Sequence, residues 1–288
     1  MMEQVLVVGP GRVGKCLALV HQRAGAKVFV LGRQQGLWMD WARAHAMQPL
    51  LEYHAAPRAN LVVLLTVPDR ELVAALECCQ NHLHGAGNVL IHCSGVRGAE
   101  LFSEAPNSST VCAAIHPLMA FSGHPEDDAV ALAAATVTLA TFSTAAHIFA
   151  DVIACWGARA LTLAPDVERA KYHLGLSLLS NHVTALCGWA ADLLQPALGE
   201  GTAAVVCEMA TRAVLATVEL GAGAALTGPV VRGDAETIQA HLHALSAAEA
   251  MRYRGALLSV IDLACASGRL SEKAAMPLRA LVAGDSTL

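Results

Sequence analysis

The chain has 288 residues, of which 55% are hydrophobic and 15% charged, and its mean hydropathy is +0.47. This excludes a disordered chain, and the length allows one large domain or two modest ones. With 19 Lys and Arg against 24 Asp and Glu the net charge is −5, so nucleic acid is not an expected partner, and so apolar a chain points to an oligomer packed through helices.

Gln4–Val8 is a short apolar run, followed by Gly9-Pro10-Gly11-Arg12-Val13-Gly14, an amphipathic stretch from Val13 to Ala24 and a second apolar run at Lys27–Leu31. Strand, glycine turn, helix and strand in that order form the setting in which a G-x-G-x-x-G pattern signals dinucleotide binding. Gly9 allows the tight turn, Gly11 lets the backbone approach a pyrophosphate, and Gly14 lets the helix pack closely on the strand. The phosphates would meet the free N–H groups of the helix start. After the second strand, an NAD site usually carries an acid for the ribose 2′-hydroxyl. Here Gly32-Arg33-Gln34 follow, and the next acid is Asp40. Arg33 suits a 2′-phosphate, which favours NADP over NAD; the plainer reading is a solvated surface arginine.

Further strands are expected at Leu61–Leu65, ending in Thr66-Val67-Pro68-Asp69, at Val89–His92, ending in Cys93-Ser94-Gly95, and at Thr110–Ile115, ending in His116-Pro117. A helix is expected over Arg70–Cys79. Ligands of an open α/β sheet bind beyond the carboxyl ends of the strands, so Thr66, Pro68, Ser94 and His116 are expected in one crevice. The stretch from Ala129 to Ala150 lacks charged residues and has the length of a membrane span. Its threonines, serines and histidine argue against one, and Thr136–Leu139 reads as a strand, followed by a helix and a last strand at Ala160–Leu163. The N-terminus enters its strand without a basic region and long apolar core, so no secretory leader and a cytoplasmic location are expected. The nine cysteines show no CxxC spacing and read as reduced, buried thiols.

Strand signals vanish after Ala164. The fold class expected is an α/β Rossmann domain with a doubly wound, mostly parallel sheet over residues 1–164, then an all-helical substrate or dimerisation domain over 165–288. A long helix should start at Pro165-Asp166 and run to Leu194, apolar on most faces and buried at a subunit interface. Further helices fit Thr202–Leu220, Asp234–Leu245, Ala248–Ala266 and Glu272–Ala283. On the long helix, His173, Ser177 and Asn181 stand four residues apart and form one polar stripe, since four residues advance only about 40° round the axis. The stripe faces either the cofactor crevice or polar neighbours in a core. His21, His45, His54, His82, His84, His241 and His243 read as solvated, and no metal site is expected.

Several segments together resemble a known group. They are Gly9–Gly14, Thr66-Val67-Pro68-Asp69, Ser94-Gly95, His116-Pro117-Leu118, Tyr172-His173 with Ser180-Asn181, and Thr227-Gly228-Pro229 with Arg232-Gly233-Asp234. They resemble the 6-phosphogluconate dehydrogenase-like superfamily, which includes pyrroline-5-carboxylate and imine reductases. More closely, they resemble its Rossmann-like branch with the domain of unknown function 2520. The resemblance implies NAD(P) binding, a helical C-terminal domain, and a dimer with its site between domains. β-Hydroxyacid dehydrogenases of the superfamily carry a lysine four residues before the helix asparagine. Here that residue is Ser177, and Lys171 lies about 160° from the face of His173.

The expected chemistry is hydride transfer between NADP(H) and a small C=O or C=N substrate. His116 or His173 would be the acid, because an imidazole titrates near neutral pH. Asn181 and Ser94 would orient the substrate beside Ser177. Arg232 would hold a substrate carboxylate or the cofactor, or simply pair with a nearby acid, with Asp234 capping the next helix. The rival expectation is a non-catalytic NADP(H) sensor.

Overall fold

The computed structural model describes residues 3–82, 86–102, 110–143, 146–164 and 167–284. They form two compact units, Met1–His182 and Val183–Leu288.

The first unit is built on β1 (Gln4–Val8), α1 (Arg12–Arg23), β2 (Lys27–Leu31), α2 (Leu37–Ala44), β3 (Gln48–Leu50), β4 (Val62–Leu65), α3 (Leu72–His82), β5 (Val89–His92), β6 (Val111–Pro117), α4 (Pro125–Ala133), β7 (Thr136–Ala140), α5 (Ala146–Cys155), β8 (Arg159–Thr162) and α6 (Arg169–Ser177). The eight strands make one sheet in the order β3-β2-β1-β4-β5-β6-β7-β8. Every pairing is parallel except β6 with β7. The doubly wound, mostly parallel sheet expected from the sequence is therefore present.

The strands read as unbroken apolar runs because helices cover both faces of such a sheet. Alternate residues of each strand serve opposite faces. Val5, Val7, Val28, Val30 and Ile91 join one buried cluster with Leu17, Phe149 and Trp156. Leu6, Val8, Phe29, Leu31 and Leu65 join the other with Leu72 and Leu76. At about 1.5–3 kcal/mol per fully buried aliphatic side chain, these two layers dominate the unit's stability.

The first compact unit runs past the sequence boundary at 164/165, because Arg169 and Tyr172 of α6 bond to Ser94, His116 and Thr138. The expected single long helix is also divided. Its start at Pro165-Asp166 lies outside the described residues. A π-helical segment, Leu178–His182, separates α6 from α7 (Val183–Leu198). Pro196 falls in the last turn of α7, where its missing N–H costs one bond and the helix still closes at Leu198. No residue described from 169 to 198 is buried within the chain, and Leu179 is 75% exposed. The apolar faces that suggested burial are thus uncovered in a single chain.

The second unit continues with α8 (Thr202–Leu220), the short α9 (Ala222–Ala225), α10 (Ala235–His243), α11 (Ala247–Ala266) and α12 (Glu272–Ala283). Val230, Ile238, Leu257, Ile261, Leu270 and Leu278 form its core. Ser246 and Glu249 make a reciprocal capping box on α11. Among the described residues, no helix is long and apolar enough to cross a membrane. All nine cysteines are free; Cys16 and Cys79 are buried and Cys207 is exposed, so burial holds for part of the set only.

Candidate functional site

The sheet order sets β1 between β2 and β4, so the turns after these three strands meet at one edge. There they enclose a cleft of about 1190 Å³. Gly9, Pro10, Gly11, Arg12, Val13, Arg33, Thr66, Val67 and Pro68 all line it, together with Trp38, Tyr53, Arg70 and Glu71, which the sequence reading did not single out.

The three glycines play separate roles. Gly9 has φ +101°, in the region that favours glycine, and a Cβ there would lie 3.0 Å from the Thr66 backbone. A Cβ at Gly11 would meet nothing within 4 Å, so its surface is open to the cleft. A Cβ at Gly14 would lie 2.0 Å from the Gly9 carbonyl oxygen and 2.6 Å from Thr66 Oγ1. Thr66 in turn donates its hydroxyl to the carbonyls of Val8 (3.0 Å) and Gly9 (2.8 Å), tying β4 to the turn. No side chain caps the N-terminus of α1, so its first N–H groups are available to a ligand.

Ser94 and His116 do not line this cleft. They form a second group around α6. His116 Nδ1 lies 3.0 Å from the Tyr172 hydroxyl, which lies 2.9 Å from Thr138 Oγ1. The His116 and His173 rings are 6.3 Å apart, and Gly95 fits against both: a Cβ there would be 2.5 Å from His173 Cδ2 and 2.8 Å from His116 Cε1. Arg169 donates from Nη2 to the carbonyls of Ser94 (3.2 Å) and Arg97 (2.7 Å) and lies over the Tyr172 ring. Its buried Nε and Nη1 have no acceptor among the described residues. Burial, with the neighbouring His173 and Arg169, pushes His116 down to about 4. The imidazole expected to titrate near neutral pH is therefore neutral there, because its charged form loses water and faces other positive groups.

Ser94 is anchored by two local bonds. Its Oγ accepts from the Arg97 N–H, and its own N–H donates to His92 Nδ1. Buried His92 donates from Nε2 to the Gly98 carbonyl at 3.0 Å, so both ring nitrogens are used, and burial pushes it down to about 4. His173 is part of the His116 group, but Asn181 is exposed and its amide donates to Ser177 Oγ at 3.4 Å. The π segment lies between Ser177 and the following helix, and the stripe does not stay on one buried face. Lys171 pairs with Glu168 at 2.8 Å.

In the second unit, Arg232 lies 3.7 Å from Asp234, which caps α10 by accepting from the Thr237 N–H and hydroxyl. That is the structural alternative for the pair. His21, expected to be solvated, is instead 3% exposed: Trp156 Nε1 donates to its Nε2 at 2.9 Å. His84 lies outside the described residues. Arg169 carried a signal in the sequence. With Tyr172 and His173 it stands at three- and four-residue spacing, hence on one helix face.

Residues 2–117 match a Rossmann-like domain, and residues 135–258 match the domain of unknown function 2520. The chain is a Rossmann-like protein carrying that domain. No protein of curated function matches it. Solved structures share the fold of this Rossmann-like protein at low identity. A Bacteroides fragilis protein provisionally named an NADP oxidoreductase is 18% identical, with a TM-score of 0.75 over 90% of this chain and 98% of that one. An imine reductase from a Pseudomonas species is 15% identical, TM-score 0.61, over 99% and 95%. A Plasmodium falciparum pyrroline carboxylate reductase with NADP bound is 12% identical, TM-score 0.54, over 95% and 98%.

Proposed function

We propose that the protein is an NADP(H)-dependent oxidoreductase that transfers a hydride to or from a small C=O or C=N substrate. The observation that carries this reading is the cleft over the glycine turn, with an open Gly11, an uncapped α1 start and Arg33 at its border. These residues fit a dinucleotide: backbone N–H groups for the pyrophosphate and a guanidinium for a 2′-phosphate. The cofactor and activity named for the fold neighbours lie in the same direction.

When bound, the nicotinamide supplies or accepts the hydride. The protein's part is to hold the substrate. Neutral His116 has one donor and one acceptor nitrogen. Where Tyr172 donates to Nδ1, Nε2 carries the hydrogen and can donate to the substrate heteroatom. With burial and nearby positive charge holding it down at about 4, His116 is neutral at pH 7 and orients the substrate heteroatom as a hydrogen-bond donor, while the proton that completes reduction comes from solvent water. His173 lines the same group, while Asn181, Ser177, Ser94 and Arg232 remain candidates to orient the substrate. Cofactor binding falls to residues 1–164, which also bring His116 and Ser94 to the substrate, and further substrate contacts and dimerisation fall to 165–288, in the cytoplasm. Exposed Leu186 and Leu193 on α7 and Val214 and Val218 on α8 are apolar surface that a second copy would cover, which light scattering tests.

A second reading, a binding module without turnover, is favoured by one observation: Ser177 stands where a catalytic lysine would stand, and Lys171 is engaged with Glu168. Titration calorimetry with NADPH and NADH, on the wild type and Arg33→Ala, tests the common part. Tight NADPH binding that weakens about tenfold or more in the variant is expected, and equal or absent binding of both cofactors would sink the assignment. NADPH oxidation in the presence of ketones and imines then separates an enzyme from a binding module.

A further inference from the structure

The turns after β2 and β4 bracket the glycine turn, and each brings charge to the cleft. Arg33 follows β2. Arg70 and Glu71 belong to the 3₁₀ turn Asp69–Glu71 after β4. Both guanidinium groups converge on a single oxygen: Arg33 Nη2 lies 2.9 Å and Arg70 Nε 3.6 Å from Glu71 Oε1. The carboxylate is the sunken partner, its side chain 20% exposed against 81% and 83% for the two arginines. All three line the cleft.

Each guanidinium has five N–H donors; Arg33 commits one to Glu71, and Arg70 at 3.6 Å is within ion-pair but not hydrogen-bond distance, so most of the donor capacity is free for a ligand. Exposed ion pairs are worth about 0–1 kcal/mol, so an incoming anion can displace them at little cost. A phosphate monoester dianion is a better complement to two guanidinium groups than one carboxylate, because it accepts charge-assisted bonds on three oxygens. Glu71 cannot donate, and its charge opposes a phosphate at the same place.

We propose that Arg70 is the second guanidinium of a 2′-phosphate site begun by Arg33, and that Glu71 is its built-in counter-anion, competing with the phosphate. The inference rests on the reading of the cleft as a dinucleotide site. It makes cofactor choice a property of three side chains from two turns, adjustable at Glu71 alone.

Adenosine 2′,5′-bisphosphate and adenosine 5′-monophosphate differ only in the 2′-phosphate and require no turnover. Calorimetric titration of both against the full chain separates the cases. The wild type should bind the bisphosphate more tightly. Arg70→Ala should weaken it about tenfold, and Glu71→Gln should strengthen it several-fold, with the monophosphate unchanged in both. Arg70→Lys should recover only part of the loss, because it restores charge without the fork. Arg70→Ala without effect, or with equal loss for both nucleotides, would remove Arg70 from the site. Weaker bisphosphate binding in Glu71→Gln would make Glu71 a holder of the arginines rather than a competitor and overturn the proposal. Equal wild-type affinity for both nucleotides overturns the proposal but leaves the dinucleotide reading standing. Binding of neither overturns both.

Discussion

Two buried imidazoles should make the first unit lose stability in mild acid. His21 Nε2 accepts from Trp156 Nε1 at 2.9 Å, and His92 Nδ1 accepts from the Ser94 N–H at 3.2 Å. A proton on either acceptor nitrogen would face another N–H at hydrogen-bond distance. Burial pushes both groups from 6.5 down to about 4. Because the folded values are depressed, the unfolded chain binds more protons between these limits. The stability they contribute is therefore complete above about pH 6.5 and lost as pH falls toward 4. Each group should cost roughly 2–3 kcal/mol by pH 4.5, so the pair removes a large part of a typical folding free energy. Urea denaturation followed by tryptophan fluorescence from pH 7.5 to 4.5 measures this. His21→Gln replaces the acceptor nitrogen with an amide oxygen and removes one titration. Its stability should fall with pH less steeply than the wild type's, by up to about 1.4 kcal/mol per pH unit. Identical slopes in the two proteins would show that His21 charges without cost and would refute the argument.

The glycines give a paired expectation. Gly14→Ala drives a Cβ to 2.0 Å from backbone and should destabilise by about 3 kcal/mol or more in thermal unfolding, whereas Gly11→Ala meets nothing within 4 Å and should cost about 1 kcal/mol or less while abolishing nucleotide binding by calorimetry. Gly95→Ala should leave NADPH affinity unchanged, since Gly95 lies outside the cleft, yet displace the His116 and His173 rings. Turnover should then fall about a hundredfold in the NADPH-oxidation assay, and an unaltered rate would detach that histidine pair from the chemistry.

What the sequence disclosed follows from how local each feature is. The parallel strands were legible because burial on both faces makes them continuous apolar runs, and the glycine turn because six consecutive residues build it. β3 escaped notice: it has three residues with Pro49 in the middle. α4 is hard to separate in the sequence although Pro125 and the acids Glu126, Asp127 and Asp128 are a sound helix start, because its apolar residues run almost without a break into those of β7. Histidines show the limit most clearly. His21 ends an amphipathic helix, and nothing within a turn of it reveals Trp156, 135 positions on, as the donor that accompanies its burial. His116 could be placed at a strand end, but the Tyr172 hydroxyl that bonds its Nδ1 lies 56 positions away, and Arg169, which helps hold it neutral, reaches back 75 positions to Ser94. Protonation state is set by such distant neighbours. A sequence can thus propose that a histidine sits at the site, while the assumption that it titrates near neutral pH fails as soon as the fold surrounds it with apolar side chains and positive charge.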